Sequence, residues 1–119
     1  MRSFRNLKVW AKAHAVTMEV YRLTRAFPLE ERYGLTSQMR RCAVSIPSNI
    51  AEGCGRGTDT DFARFLQIAA GSSSELEYQV LLAHELGLLS RSTSADLSEA
   101  ICEVRRMLNG LIKNLTADR

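Results

Sequence analysis

The stretch LSEAICEVRRMLNGLIKNL, residues 97–115, decides the fold. Its apolar residues Leu97, Ile101, Val104, Leu108, Leu111 and Leu115 recur at steps of 4, 3, 4, 3 and 4. That spacing draws one stripe along an α-helix and no strand. Glu99, Glu103, Arg106 and Lys113 fall away from the stripe, so this helix shows one face to a core and the other to water.

The same periodicity recurs three times upstream. Val9, Ala13, Val16, Val20, Leu23 and Phe27 define a first helix over about 6–26, ended by Pro28. The residue before a proline is pushed out of helical geometry, so the stop is local chemistry. Leu35, Met39, Cys42, Ile46 and Ile50 define a second helix over about 35–53, with Pro47 inside it. The apolar register survives across Pro47, which predicts a kink within one helix. Ser45 and Ser48 are placed to satisfy the carbonyls that the proline frees. Gly53 to Gly57 read as a break, followed by a cap-like Thr58/Asp61 pair. A third helix then carries Phe62, Leu66, Ala69, Ser73, Leu76, Val80 and Ala83 to about Leu89. Residues 90–94 form the next turn, with Thr93 and Asp96 as another cap-like pair.

Four helices joined by short connections lie antiparallel in turn. The prediction is all-α: an up-down antiparallel four-helix bundle with a proline-kinked second helix, in one domain over residues 1–119. A 119-residue chain that is 45% hydrophobic and 24% charged suits one such core. No window reaches the ~18 apolar residues of a membrane span, and the basic N-terminus leads into an amphipathic pattern. The expected location is the cytoplasm, where Cys42, Cys54 and Cys102 stay reduced.

Chemistry is thinly signalled. The glycine-rich run 53–57 lacks the lysine of a phosphate loop and is trailed by Asp59 and Asp61. His84-Glu85 opens like a zinc-protease motif, but Leu88 stands where the second histidine belongs. Neither a catalytic residue nor a metal or cofactor site is predicted. Gly71, Ser72, Ser73 and Ser74 are weak helix formers in mid-helix. Their small size permits close approach at the proline bend. A structural polar cluster is expected there, from Ser45, Ser48, Asn49 and Glu52 on one side and Ser72, Ser73 and Glu75 on the other.

Two features point outward. Opposite its first seam, helix 1 carries a second stripe of Leu7, Trp10, Ala11, His14, Met18 and Tyr21. The stripes alone do not say which faces the core. Helix 3 has off-seam apolar residues too, Ile68, Leu82, Leu86 and Leu89. Large exposed apolar faces are rare on monomers, so a homo-oligomer is expected, with these residues at its interface. Charge is also uneven. Residues 1–56 hold ten Lys/Arg against four Asp/Glu, net +6; residues 57–119 hold six against nine, net −3. Either the basic half meets a polyanion, or the two halves face each other in the bundle. Arg5, Lys8, Lys12, Arg22, Arg40, Arg41 and Arg56 are the candidate RNA or DNA contacts.

Phe4, Leu7, Val9-Trp10, Phe27-Pro28 and Tyr33-Gly34-Leu35-Thr36 with Gln38 and Arg40-Arg41 resemble the 23S rRNA intervening-sequence protein family. The most specific match is Ser45-Ile46-Pro47-Ser48-Asn49-Ile50-Ala51-Glu52-Gly53. Phe62, Phe65-Leu66, Gly71-Ser72 and Glu75-Leu76 continue it, so that it covers roughly residues 4–90. The resemblance implies a bacterial four-helix bundle that forms rings, commonly pentamers, without enzymatic activity. Members are encoded in insertions within bacterial large-subunit rRNA genes and elsewhere in genomes. A related branch serves as accessory proteins of diversity-generating retroelements, binding a reverse transcriptase and nucleic acid. A larger protein partner is the alternative to nucleic acid.

Overall fold

The computed structural model describes residues 2–117. Four α-helices run in chain order: α1 Lys8–Thr24, α2 Leu35–Cys54, α3 Asp59–Glu85 and α4 Arg91–Thr116. Short 3₁₀ turns occupy Phe4–Asn6 and Leu29–Glu31. Each helix packs on its chain neighbours, and α1 closes the bundle against α4, leaving α1 and α3 diagonal. The bundle measures 46 × 21 × 20 Å. Among the described residues no helix is long and apolar enough to cross a membrane.

The seams explain the packing. Val9, Ala13, Val16 and Val20 of α1 are buried, as are Met39, Ile46 and Ile50 of α2. Phe62 through Ala83 of α3 follow the expected stripe, and Leu97, Ile101, Val104 and Leu108 supply α4. The first stripe of α1 is therefore the one that faces the core. Leu23, Leu111 and Leu115 are only half-buried, because they lie toward the bundle ends.

Helix α2 runs through Pro47 without interruption, and the proline itself is buried. Having no N–H, Pro47 leaves the Ala43 carbonyl without its helical partner. The expected rescuers were Ser45 and Ser48, and the structure uses neither. Thr17 of α1 turns its hydroxyl onto the Ala43 carbonyl at 3.0 Å, sharing the proton with its own Ala13 carbonyl, also at 3.0 Å. A neighbouring helix reaches the freed carbonyl from inside the core, whereas Ser48 lies exposed.

Helix α1 is about two residues shorter at each end than expected, and three further helix ends differ. Helix α2 includes Gly53, its expected end, and also Cys54, so the break begins at Gly55. Helix α3 stops at Glu85 because Gly87 takes a left-handed φ of 79°. Its N–H bonds the His84 carbonyl and the Leu88 N–H bonds the Ala83 carbonyl, the paired closure of a Schellman turn. Helix α4 starts at Arg91, capped by the Ser90 hydroxyl accepting from the Thr93 N–H; Thr93 and Asp96 lie inside the helix. The Thr58 cap is as read, its hydroxyl accepting from the Asp61 N–H.

Candidate functional site

The polar cluster forms at the α2–α3 contact, with a smaller membership than expected. The Ser45 and Ser72 hydroxyls meet at 2.8 Å. Asn49 Nδ2 donates to the Ser45 carbonyl at 2.8 Å and to its hydroxyl at 3.0 Å. Cys42, absent from the expected set, donates its thiol to the Ser72 carbonyl at 3.1 Å. Burial pushes that thiol up to about 12, and the Glu75 carboxylate adds to the shift. Glu75 also accepts from Gln79 Nε2 at 3.4 Å. Ser48 and Glu52 stay outside: Ser48 is exposed, and Glu52 pairs with Arg56 one turn away at 3.2 Å. Ser73 is buried but bonds back to the Ala70 carbonyl of its own helix at 2.6 Å. Residues four apart on α2 project on one side, so Ser45 and Asn49 enter together while Ser48 and Glu52 turn outward.

The second stripe of α1 divides along its length. Leu7 and Trp10 pack partly against the core, Trp10 tilted on Phe4 and stacked on His14 with ring centroids 5.1 Å apart. Ala11, His14, Met18 and Tyr21 are exposed, Met18 by 59% and Tyr21 by 38%. On α3, Ile68 (44%) is exposed and Leu82 half-buried, and Leu86 (56%), just past the helix end, is exposed. Leu89 is buried, because the Gly87 turn folds it back onto the core. Tyr78 and Leu81, not singled out by periodicity, are also exposed, beside the α4 serines Ser94 and Ser98.

The seven candidate cations do not gather on one side of the chain. Arg2 bonds through its backbone to the Cys54 carbonyl, so the start of the chain sits at the C-terminal end of α2. Arg5, Lys8 and Arg56 therefore share one end, while Arg22, Arg40 and Arg41 lie toward the other. Lys12 pairs with Glu103 of α4 at 2.5 Å and Arg22 with Glu19 at 2.6 Å. Hydrogen bonds from these cations hold both carboxyls below the usual range. Arg40 lies over the Tyr21 ring and donates Nε to Thr24 Oγ1 at 2.8 Å. The charge asymmetry between the halves is thus met in part by ion pairs between helices at the bundle surface, as in the Lys12–Glu103 bridge.

A family profile described as 23S rRNA-intervening sequence protein matches residues 5–110. The chain belongs to that family. A solved structure with similar architecture is a protein of unknown function from the S23 ribosomal protein family of Bacteroides thetaiotaomicron VPI-5482. The two share 24% identity over 88% of this chain and 95% of the other, with a TM-score of 0.82. That likeness speaks to the fold. A comparison with curated proteins found no match.

In this intervening-sequence protein the Ser45–Gly53 run has a physical reading at six of its nine positions. Ile46 and Ile50 are core, Pro47 frees the carbonyl that Thr17 takes, and Ser45 and Asn49 build the cluster. Gly53 lets the two helices close: a Cβ there would stand 2.9 Å from the Phe62 ring and 3.0 Å from Phe65 Cβ. Sequence reading missed Thr17, Thr24, Cys42 and Gln79 as polar members of the helix contacts. A usable signal existed for the first two, seven residues apart and adjacent to the α1 seam.

Proposed function

We propose that the chain is a non-enzymatic subunit of a closed homo-oligomer, in which the α1 stripe of one copy packs on the α3 face of the next. The observation that carries this reading is the position of the exposed apolar residues. Met18 and Tyr21 lie on α1, Ile68 lies on α3 with Leu86 capping its end, and the two helices are diagonal. A two-fold dimer uses one self-complementary patch. Two different patches facing away from each other suit head-to-tail contacts, which close into a ring when the rotation per copy allows. Five copies is the closure that the family resemblance implies. Groups with intrinsic chemistry are committed to structure: the Cys42 thiol stays protonated and the His84 ring bonds the Leu89 carbonyl. Light scattering at micromolar concentration should give five times 13.3 kDa. A mass of 13.3 kDa overturns the proposal.

Nucleic-acid binding is the second element of this reading. A ring of upright bundles repeats each cationic end around one rim, gathering Arg5, Lys8 and Arg56 from successive copies. Lys8 and Arg41 enter no ion pair among the described residues. Binding of mixed-sequence RNA should weaken steeply as salt rises, because phosphate contacts release counterions. RNA that fails to bind even at low salt leaves a protein-interaction module, accessory to a larger protein.

A further inference from the structure

The connection between α1 and α2 borders an open pocket of about 270 Å³ whose walls carry three guanidinium groups and no carboxylate. Arg25 and Arg32 are exposed side chains with no ion pair among the described residues. Arg40 is held in place from behind: its Nε is bound to Thr24 Oγ1 and its face rests on Tyr21, 4.7 Å from the ring centre. That leaves the outer edge of its fork for a ligand. The acids on the connection itself are Glu30, which is exposed, and Glu31, whose Oε1 already accepts the Leu35 N–H at 3.1 Å.

An unsatisfied group lies within the wall of the same pocket, covered from the open space. Thr36 forms part of its wall, is 8% exposed, and its hydroxyl has no hydrogen-bond partner. Buried hydroxyls are normally paired, and an orphan calls for an explanation. Thr36 is also the second residue of α2, where backbone N–H groups lack helical acceptors and the helix dipole favours negative charge. Gly34, the cap residue, has no side chain to offer them, and the Glu31 carboxylate takes the Leu35 N–H but not those of the following residues.

We infer that this pocket binds a phosphate group. Arg25 and Arg32 close over it, the Arg40 fork presents paired N–H donors, and the Thr36 hydroxyl supplies a further bond after one rotamer step about χ1. The tetrahedral shape of phosphate, with three or more acceptor oxygens, uses donors arriving from several directions better than a planar carboxylate does. The pocket lies within one chain and stands whether or not copies assemble. A small phosphorylated molecule and an RNA phosphate present the same group, and only the second source rests on the nucleic-acid reading above.

The intact chain is melted and titrated calorimetrically with sodium phosphate, against sodium chloride at equal ionic strength. Phosphate should raise the wild-type Tm where chloride does not, since a ligand of the native state stabilises it. The Arg25→Gln/Arg32→Gln variant, altered only at exposed positions, should bind phosphate at least tenfold more weakly. Thr36→Val should raise Tm in phosphate-free buffer, by removing the orphan hydroxyl, and shrink the gain that phosphate gives. Equal shifts from phosphate and chloride overturn the site, as does undiminished binding by the double arginine variant. Competition then locates the source. Displacement of phosphate by adenosine monophosphate but not by a short single-stranded RNA assigns it to small molecules, and displacement by the RNA assigns it to a nucleic-acid backbone. Displacement by neither overturns the proposal.

Discussion

The Thr17 hydroxyl of α1 stands 3.0 Å from the Ala43 carbonyl of α2, the one backbone acceptor that Pro47 leaves without a helical donor. A proline in mid-helix costs a hydrogen bond and crowds the preceding turn. The bundle recovers the first of these losses from the next helix, at a position where Thr17 is 7% exposed. This ties the register of α1 to the irregularity of α2.

Thr17→Val keeps shape and removes the donor. A buried carbonyl left unpaired costs about 1–3 kcal/mol, so Tm should fall by several degrees. In a Pro47→Ala background residue 47 regains its N–H, and the cost of Thr17→Val should shrink. A double-mutant cycle with no coupling between the two sites would show that the bond does not serve the proline.

Gly53→Ala should destabilise, although alanine is the better helix former by about 1 kcal/mol. The added methyl meets the Phe62 ring and Phe65 Cβ at the closest approach of α2 and α3, and Phe62 is 1% exposed with nowhere to move. Overpacking of this kind costs about 1–3 kcal/mol. Gly71→Ala, where the new atom meets nothing within 4 Å, should instead hold or raise Tm. Chemical denaturation of the pair separates close approach from helix propensity.

Within the polar cluster, Asn49→Ala removes two hydrogen bonds to Ser45 and should cost about 0.5–1.5 kcal/mol. Glu52→Gln should leave Tm within experimental error, because Glu52 is exposed and its carboxylate forms a surface ion pair with Arg56. Equal effects of the two changes would place Glu52 in the cluster after all.

The Cys42 thiol carries a pH signature. Its folded value is raised to about 12 by burial and then by Glu75, against an ordinary value of 9.0. The folded chain keeps that proton where the unfolded chain gives it up. The contribution to stability is therefore full below about pH 9 and is lost as pH rises from there toward 12. Cys42→Ser should flatten this part of the Tm–pH profile. The same protonation makes Cys42 slow toward thiol reagents, so half-buried Cys102 should be modified first in the native protein.

The architecture was legible because it rests on periodicity. The α4 stripe at Leu97, Ile101, Val104 and Leu108, and the α3 stripe from Phe62 to Ala83, are core residues as read. What escaped was set by contact between helices, which spacing within one helix does not encode. Thr17 is an unremarkable threonine until α2 lies against it. Cys42 was counted as core, yet its thiol also enters the polar cluster, and Glu52 was expected in the cluster but lies one helical step off it. The α3 terminus was misplaced because Leu88 and Leu89 continue the apolar pattern past Gly87, whose positive φ ends the helix. The charge asymmetry was visible at once. Its partial use between helices, in the surface Lys12–Glu103 bridge, needed the packing of α1 on α4.

Head-to-tail assembly is tested most directly by mixing two face variants. Met18→Asp spoils the α1 stripe and Ile68→Asp spoils the α3 face, and each alone should give a 13.3 kDa species by light scattering. Mixed in equal amounts, the intact α3 face of the first should meet the intact α1 stripe of the second, giving a species of twice that mass that cannot grow further. Variants that remain monomeric on mixing, or that each assemble as the wild type does, contradict the account.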